Sequence, residues 1–155
     1  MDLEQKKIKI EEAVKKLTGY MNLECRVEFR EQKNEKCALF VSVHTPEDAK
    51  FLIGRNGQIL QALEHVIRLM FIKDIEALGL MLDVNDYRKS RDTYLVDLAK
   101  EAVNRVRNTQ KAEALVPMTP YERRVVHVEL ATCSDIATES IGEEPYRRVV
   151  VKPYP

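Results

Sequence analysis

Ile53-Gly54-Arg55-Asn56-Gly57 stands between two stretches of helical apolar spacing, and it constrains the fold more than any other feature of the chain. Upstream, Thr45-Pro46-Glu47-Asp48 reads as the opening of a short helix through Ala49, Lys50, Phe51, Leu52 and Ile53. Downstream, Ile59, Leu60, Leu63, Val66, Ile67, Met70 and Phe71 recur at helical spacing. Two helices are therefore joined by only four residues, with glycine at both ends. Gly54 is suited to the left-handed conformation that stops the first helix. Gly57 is expected to let the backbone approach a ligand at the start of the second. A helix N-terminus offers unpaired N–H groups and a positive dipole end, which suits phosphate, and Arg55 adds a full charge there. Two glycines three apart occur by chance in many chains. The bland alternative is a tight helix–helix turn with a solvated Arg55, so the surroundings decide.

Those surroundings read as helix, strand, strand, helix, loop, helix, strand. The first helix places Leu3, Ile10, Val14 and Leu17 on one face and is expected to end at Gly19. Leu23, Cys25, Val27 and Phe29 alternate with Glu24, Arg26, Glu28 and Arg30, the period of a half-buried strand. The polar run Glu31–Lys36 reads as the hairpin turn, and Cys37, Leu39, Val41 and Val43 as the inward residues of the second strand. Leu80 to Val84 makes a third strand after Gly79. A one-faced sheet with helices packed on it is an α+β sandwich. The order resembles the type II KH fold, whose GxxG loop clamps the backbone of single-stranded nucleic acid.

The second half has its own pattern. Asp86 to Lys111 reads as a long helix with an apolar stripe of Tyr94, Leu95, Leu98, Ala102, Val103 and Val106. Its other faces hold Arg88, Lys89, Arg91, Lys100, Arg105 and Arg107. After Val116-Pro117-Met118, Thr119-Pro120-Tyr121-Glu122 opens another helix, with Thr119 as N-cap, Pro120 at the first position and Glu122 closing a capping box. Arg123 and His127, four apart, lie on one face of it. Ile136–Ile141 and Arg147–Lys152 read as a hairpin around Gly142-Glu143-Glu144-Pro145.

Arg-x-x-x-His in this setting resembles the signature of the R-three-H domain, a small module that binds single-stranded nucleic acid. The runs Thr119–His127 and Ser140–Val151, after a KH pattern, are similar to the Jag family of bacteria (also called KhpB or EloR) over nearly the full length of this chain. The resemblance implies a type II KH-like αββααβ domain over 1–85 and an R-three-H domain over 86–155. It also implies a cytoplasmic RNA-binding regulator tied to cell elongation and division, working with a small KH-only partner protein. Two departures stand out. Many members carry an extra N-terminal domain and linker, which do not precede the KH pattern here, so the chain reads as a short member or a piece of a longer one. Their GxxG loop often holds two basic residues, where this chain has Arg55 and Asn56.

Twenty-five Lys and Arg balance twenty-five Asp and Glu, which argues against a strongly basic binder and for a shallow salt dependence. From Arg88 to His127 basic residues outnumber acidic ones, so a local footprint is expected. With no Gly/Ser linker between them, the two small domains are expected to pack together along the long helix. No signal peptide or membrane-length apolar run appears, and the glutamates of the lysine-rich first helix argue against a membrane surface. Three scattered cysteines suit a reducing compartment, and Cys25 and Cys37 read as core residues. His44 and His65 lack partners at metal-ligand spacing and read as structural; neither a metal nor a cofactor is implied.

The first reading is a non-catalytic binder of single-stranded RNA, with single-stranded DNA open for the second domain. Gly54, Arg55, Asn56, Gly57, Arg123 and His127 are the primary candidates. Arg124, Tyr121, Arg147, Arg148 and Lys152 form a second tier, the last three otherwise being the exposed face of an edge strand. Tyr87, Tyr94 and Tyr146 read as core aromatics. For Arg123 and His127 the alternative is a structural pair that fixes the hairpin. If His127 binds, its protonation below about pH 6.5 should strengthen binding. The second reading is a protein-interaction scaffold, with a homodimer left open. A nuclease with His127 as base is the third and weakest, because a lone histidine beside an arginine makes no relay.

Overall fold

The computed structural model describes residues 2–34, 37–46, 49–75 and 79–155, with the backbone alone for 32–34, 37–38 and 74–75. The chain divides into two compact units, Met1–Arg88 and Lys89–Pro155.

In the first unit, α1 (Leu3–Tyr20) is opened by a reciprocal capping box between Asp2 and Gln5. The helix runs past Gly19 to a C-cap at Met21, so Gly19 does not end it. Strand β1 (Arg26–Asn34) pairs antiparallel with β2 (Cys37–His44), and β2 pairs parallel with β3 (Leu80–Val84). The sheet order is β1-β2-β3. Between β2 and β3 lie α2 (Lys50–Ile53), α3 (Gln58–Met70) and a single-turn α4 (Ile72–Ile75). This is the αββααβ order of a type II KH-like fold, with α4 added. Ile10, Val14, Leu39, Val41, Val43, Leu52, Leu60, Ile67, Leu82 and Val84 fill its core.

Two expected boundaries move. Glu31–Asn34 continue β1, with a register irregularity between Glu31 and Asn34, so the first four residues of the polar run belong to the strand, and Glu35 and Lys36 lie outside the described residues. This extension carries no apolar face because it is polar on both sides. At the other end of the sheet, the Thr45 N–H donates to Asn85 Oδ1 at 2.9 Å, and Asn85 Nδ2 donates to the Thr45 carbonyl at 2.9 Å. Thr45 is thus tied to the end of β3, and Ala49 takes the N-cap of α2. Glu47 and Asp48, expected in that helix start, lie outside the described residues, as does the side chain of Cys37.

The second unit holds most of α5 (Tyr87–Thr109), then β4 (Glu113–Ala114), α6 (Pro120–Leu130), β5 (Ile136–Ile141) and β6 (Arg148–Pro153). The two-residue β4 pairs with β6, giving the order β4-β6-β5. Strand β6 is therefore central, not an edge, because Glu113 and Ala114 pair with Val151 and Val150. Leu95, Ala99, Ala102, Val103 and Val106 of α5 pack with Val126, Leu130, Val149 and Val151. Tyr94, expected in that stripe, is exposed, with the Arg91 guanidinium 5.2 Å from its ring centroid. Among the described residues no helix is long and apolar enough to cross a membrane.

Candidate nucleic-acid interface

The loop between α2 and α3 is built from backbone that ordinary residues resist. Gly54 has φ 71° and ψ −176°, a region open in practice only to glycine. A Cβ there would sit 2.5 Å from Ile59 Cγ1. Asn56 takes φ 55° and ψ 26°, a left-handed state that Asn tolerates. Gly57 is also left-handed, at φ 78°, and a Cβ on it would lie 2.9 Å from Tyr87 Cε1. Gly57 is buried, and its left-handed backbone and the Tyr87 ring each call for glycine there. Arg55 and Asn56 project into solvent between the two glycines. No side chain caps the N-terminus of α3, where the Gly57 and Gln58 N–H groups donate to the Gly54 and Arg55 carbonyls. Among the described residues Arg55 makes no ion pair.

In the second unit the Thr119 hydroxyl accepts from the Glu122 N–H at 3.3 Å, and Glu122 Oε2 accepts from the Thr119 N–H at 3.1 Å. This box fixes the start of α6 and hence the direction of Arg123 and His127. The pair does share a face, but that face turns onto the β5–β6 hairpin. Arg123 is buried, and its Nη1 donates to the Met118 carbonyl at 2.8 Å and to Glu144 Oε1 at 2.8 Å. His127 Nδ1 lies 2.7 Å from Thr138 Oγ1 and its Nε2 lies 2.9 Å from Ser140 Oγ. Both ring nitrogens are occupied by hydroxyls of β5. Burial, and then the charge of Arg123, hold the His127 pKa below the usual histidine value. Protonation of His127 is thereby moved below pH 6.5, and any strengthening of binding by its charge moves down with it.

The secondary candidates sort by partner. Arg147 donates to the Gly142 carbonyl at 2.7 Å and Arg148 to the Tyr146 carbonyl at 3.3 Å, so both brace their own turn. Lys152 is neutralised by Glu139 at 2.9 Å. Arg124 and Tyr121 lie outside the buried face of α6 and are exposed. They line a hollow with Val96, Val125, Val128 and Glu129, and the Tyr121 hydroxyl donates to Asp92 Oδ2 at 3.0 Å. Tyr146 is 70% exposed, so it is no core residue. Tyr87 packs against the core of the first unit. His44 Nε2 lies 3.2 Å from Ser42 Oγ and 3.6 Å from Glu28. Among the described residues no three His, Cys, Asp or Glu side chains gather as a metal-ligand set.

The basic footprint expected from Arg88 onward is largely cancelled within the fold. Arg88 pairs with Glu64, Arg91 with Glu122, Lys100 with Glu129, Arg105 with Glu113 and Arg107 with Asp135.

Residues 93–153 match the R-three-H domain family. An RNA-binding protein KhpB of Clostridium symbiosum is 37% identical over 106 residues, which is 68% of this chain and 48% of that protein. KhpB of Bacillus subtilis is 34% identical over 110 residues, 69% of this chain and 53% of its own length. KhpB of Lactiplantibacillus plantarum is 37% identical over 101 residues, covering 64% and 31%.

The chain belongs to the KhpB (Jag) family. It spans about half, or less, of the length of these relatives.

Several residues that shape these sites carry little signal in the sequence. Thr138 and Ser140 hold His127, and their signal was the period-two spacing of two hydroxyls on the strand after the helix. Glu144 holds Arg123 and was read only as part of a turn. Tyr87 explains Gly57 and was read only as core. The exposed apolar face of α3 was not foreseen. Ile59, Val66, Leu69 and Met70 are exposed there, while Leu60 and Ile67 alone are fully buried. At about 100° per residue, apolar side chains cover more than half of the helix circumference, and the core uses only part of it.

Proposed function

We propose that this chain is a non-catalytic binder of single-stranded RNA that grips the sugar-phosphate backbone with the loop Gly54–Gly57. The observation that carries this reading is Arg55 and Asn56 projecting from a glycine-built loop at an uncapped helix N-terminus. Such a loop offers a phosphate a full charge at the positive end of a helix. The names of the KhpB relatives and the match to the R-three-H family support RNA as the ligand. Exposed Phe51 and Ile59 flank the loop and would receive splayed bases. In the second unit, Arg124 and Tyr121 offer a solvent-facing cation and ring, and Arg123 and His127 set the hairpin beside them. A cytoplasmic role in controlling RNAs of cell elongation and division fits the family resemblance.

Replacing Arg55 and Asn56 together with Asp tests this. RNA affinity should fall at least severalfold at low salt, with the unfolding midpoint unchanged. Unstructured RNA should compete far better than a perfect hairpin of the same length. Equal affinity of wild type and the double variant would remove the loop from the site.

A second reading rests on the exposed stripe Val66, Leu69, Met70 and Ile72. Exposed apolar side chains of this kind on α3 and the start of α4 suit a protein partner, either a small KH-only protein or a second copy of this chain.

A further inference from the structure

Arg123 is buried, yet its guanidinium is anchored through one nitrogen. Nη1 donates both to the Met118 carbonyl at 2.8 Å and to Glu144 Oε1 at 2.8 Å. The two partners differ in kind. Met118 is backbone and fixed, whereas Glu144 lies on the turn between β5 and β6, with its side chain 52% exposed. Among the described residues no buried side-chain nitrogen or oxygen is left without a partner, so the other Arg123 donors are not sealed inside. Of the two groups that hold the guanidinium, only the half-exposed Glu144 carboxylate can swing away and leave Nη1 open to another acceptor. A carboxylate and a phosphodiester present the same planar pair of acceptor oxygens to a guanidinium.

From this we propose that Glu144 is an internal stand-in for phosphate, so that nucleic acid must displace its carboxylate to reach Arg123. Glu144 then sets the affinity and selectivity of the Arg-x-x-x-His face. The ligand class is a single-stranded phosphodiester chain. An isolated small carboxylate gains nothing by the exchange, because it would replace a like group already held in place. A strand bound elsewhere on the protein delivers its phosphate at high effective concentration and can win. The inference rests on the reading of this unit as an RNA-binding module.

The test compares Glu144→Gln, Glu143→Gln, Arg123→Ala and the double variant Glu144→Gln/Arg123→Ala. The probe is a fluorescein-labelled, unstructured single-stranded RNA of about twenty nucleotides at low salt, with thermal unfolding of every variant. Gln keeps the shape and removes the charge that competes with phosphate. Glu144→Gln should bind about three- to fivefold more tightly, the scale of one partly exposed ion pair. The gain should vanish in the double variant. Glu143→Gln makes the same charge change one residue away, and Glu143 makes no ion pair among the described residues; it should gain much less. Equal gains at Glu143 and Glu144 would reduce the effect to net charge and overturn the proposal. So would an unchanged or weaker affinity of Glu144→Gln, whether or not its unfolding midpoint falls. If Arg123→Ala binds like wild type, Arg123 is no RNA contact and the proposal falls, while the loop Gly54–Gly57 stands or falls on its own test. If Arg123→Ala weakens binding but Glu144→Gln does not strengthen it, the stand-in role alone is lost.

Discussion

The second loop glycine answers to Tyr87, and the cost of replacing it follows from two separable terms. Gly57→Ala places a Cβ on a residue at φ 78°, in the left-handed region, which costs about 1 kcal/mol for a side-chain-bearing residue. The same Cβ falls 2.9 Å from Tyr87 Cε1, well inside van der Waals contact. Tyr87 packs on the core with Ile53 and Leu63, so its ring yields only by disturbing neighbours. Overpacking of that kind adds about 1 kcal/mol or more. The total is about 2 kcal/mol, half of it removable. In a Tyr87→Ala background the ring is gone, so adding Gly57→Ala should cost only the backbone term of about 1 kcal/mol. Because the chain forms two compact units, a global melt does not isolate the first one. Native-state amide hydrogen exchange at Leu80–Val84, the parallel strand of that unit, reads its opening free energy directly. A full cost of about 2 kcal/mol in both backgrounds would refute the role of Tyr87 and return Gly57 to a purely conformational or ligand-facing part.

Two further outcomes follow from the geometry. The His127 pKa is lowered in the folded chain, so below about pH 6.5 the unfolded chain takes up a proton that the folded one resists, and stability falls as pH drops from there toward the folded value. Urea unfolding at pH 7.5 and pH 5.5 should show a smaller loss for His127→Gln than for wild type; an equal loss would mean that His127 does not carry the pH dependence. Separately, Leu69→Asp and Val66→Asp place a charge on the exposed face of α3 without touching the buried Leu60 and Ile67. They should abolish any self-association or partner binding seen by analytical ultracentrifugation while leaving affinity for single-stranded RNA intact, and unaffected assembly would exclude this face as the contact.

Local features were the legible ones. The capping box at Thr119 is written within four residues, and Thr119, Pro120 and Glu122 take the roles their order predicts. Strand β3 emerges with its expected ends because Gly79 and a run of buried residues bound it. The hairpin of β5 and β6 follows from Gly142 and the alternation around it, apart from a one-residue shift at each end of β6. Strand β4 was not legible, because two residues carry no period and gain their structure only from Val150 and Val151. The extension of β1 failed for the opposite reason: the arm is polar throughout, so no hydrophobic alternation marks it.

The candidate site was legible as residues but not as orientations. Spacing put Arg123 and His127 on one helix face, and that much is set by 3.6 residues per turn. Which way the face points depends on partners distant in sequence: Glu144 for one, Thr138 and Ser140 for the other. The same holds for charge. Arg91, Arg105 and Arg107 look like a basic footprint in sequence, but Glu122, Glu113 and Asp135 lie from eight to thirty-one residues away and reach them only in the fold. Each such pair withdraws a cation from the surface potential that would draw in RNA. Of the candidate site cations, Arg55 on one unit and Arg124 on the other make no ion pair among the described residues and stay open to phosphate. A chain of zero net charge with Arg88, Arg91, Lys100, Arg105 and Arg107 paired off fits a binder that neutralises few phosphates and derives its preference from strand form and the bases it accommodates rather than from charge.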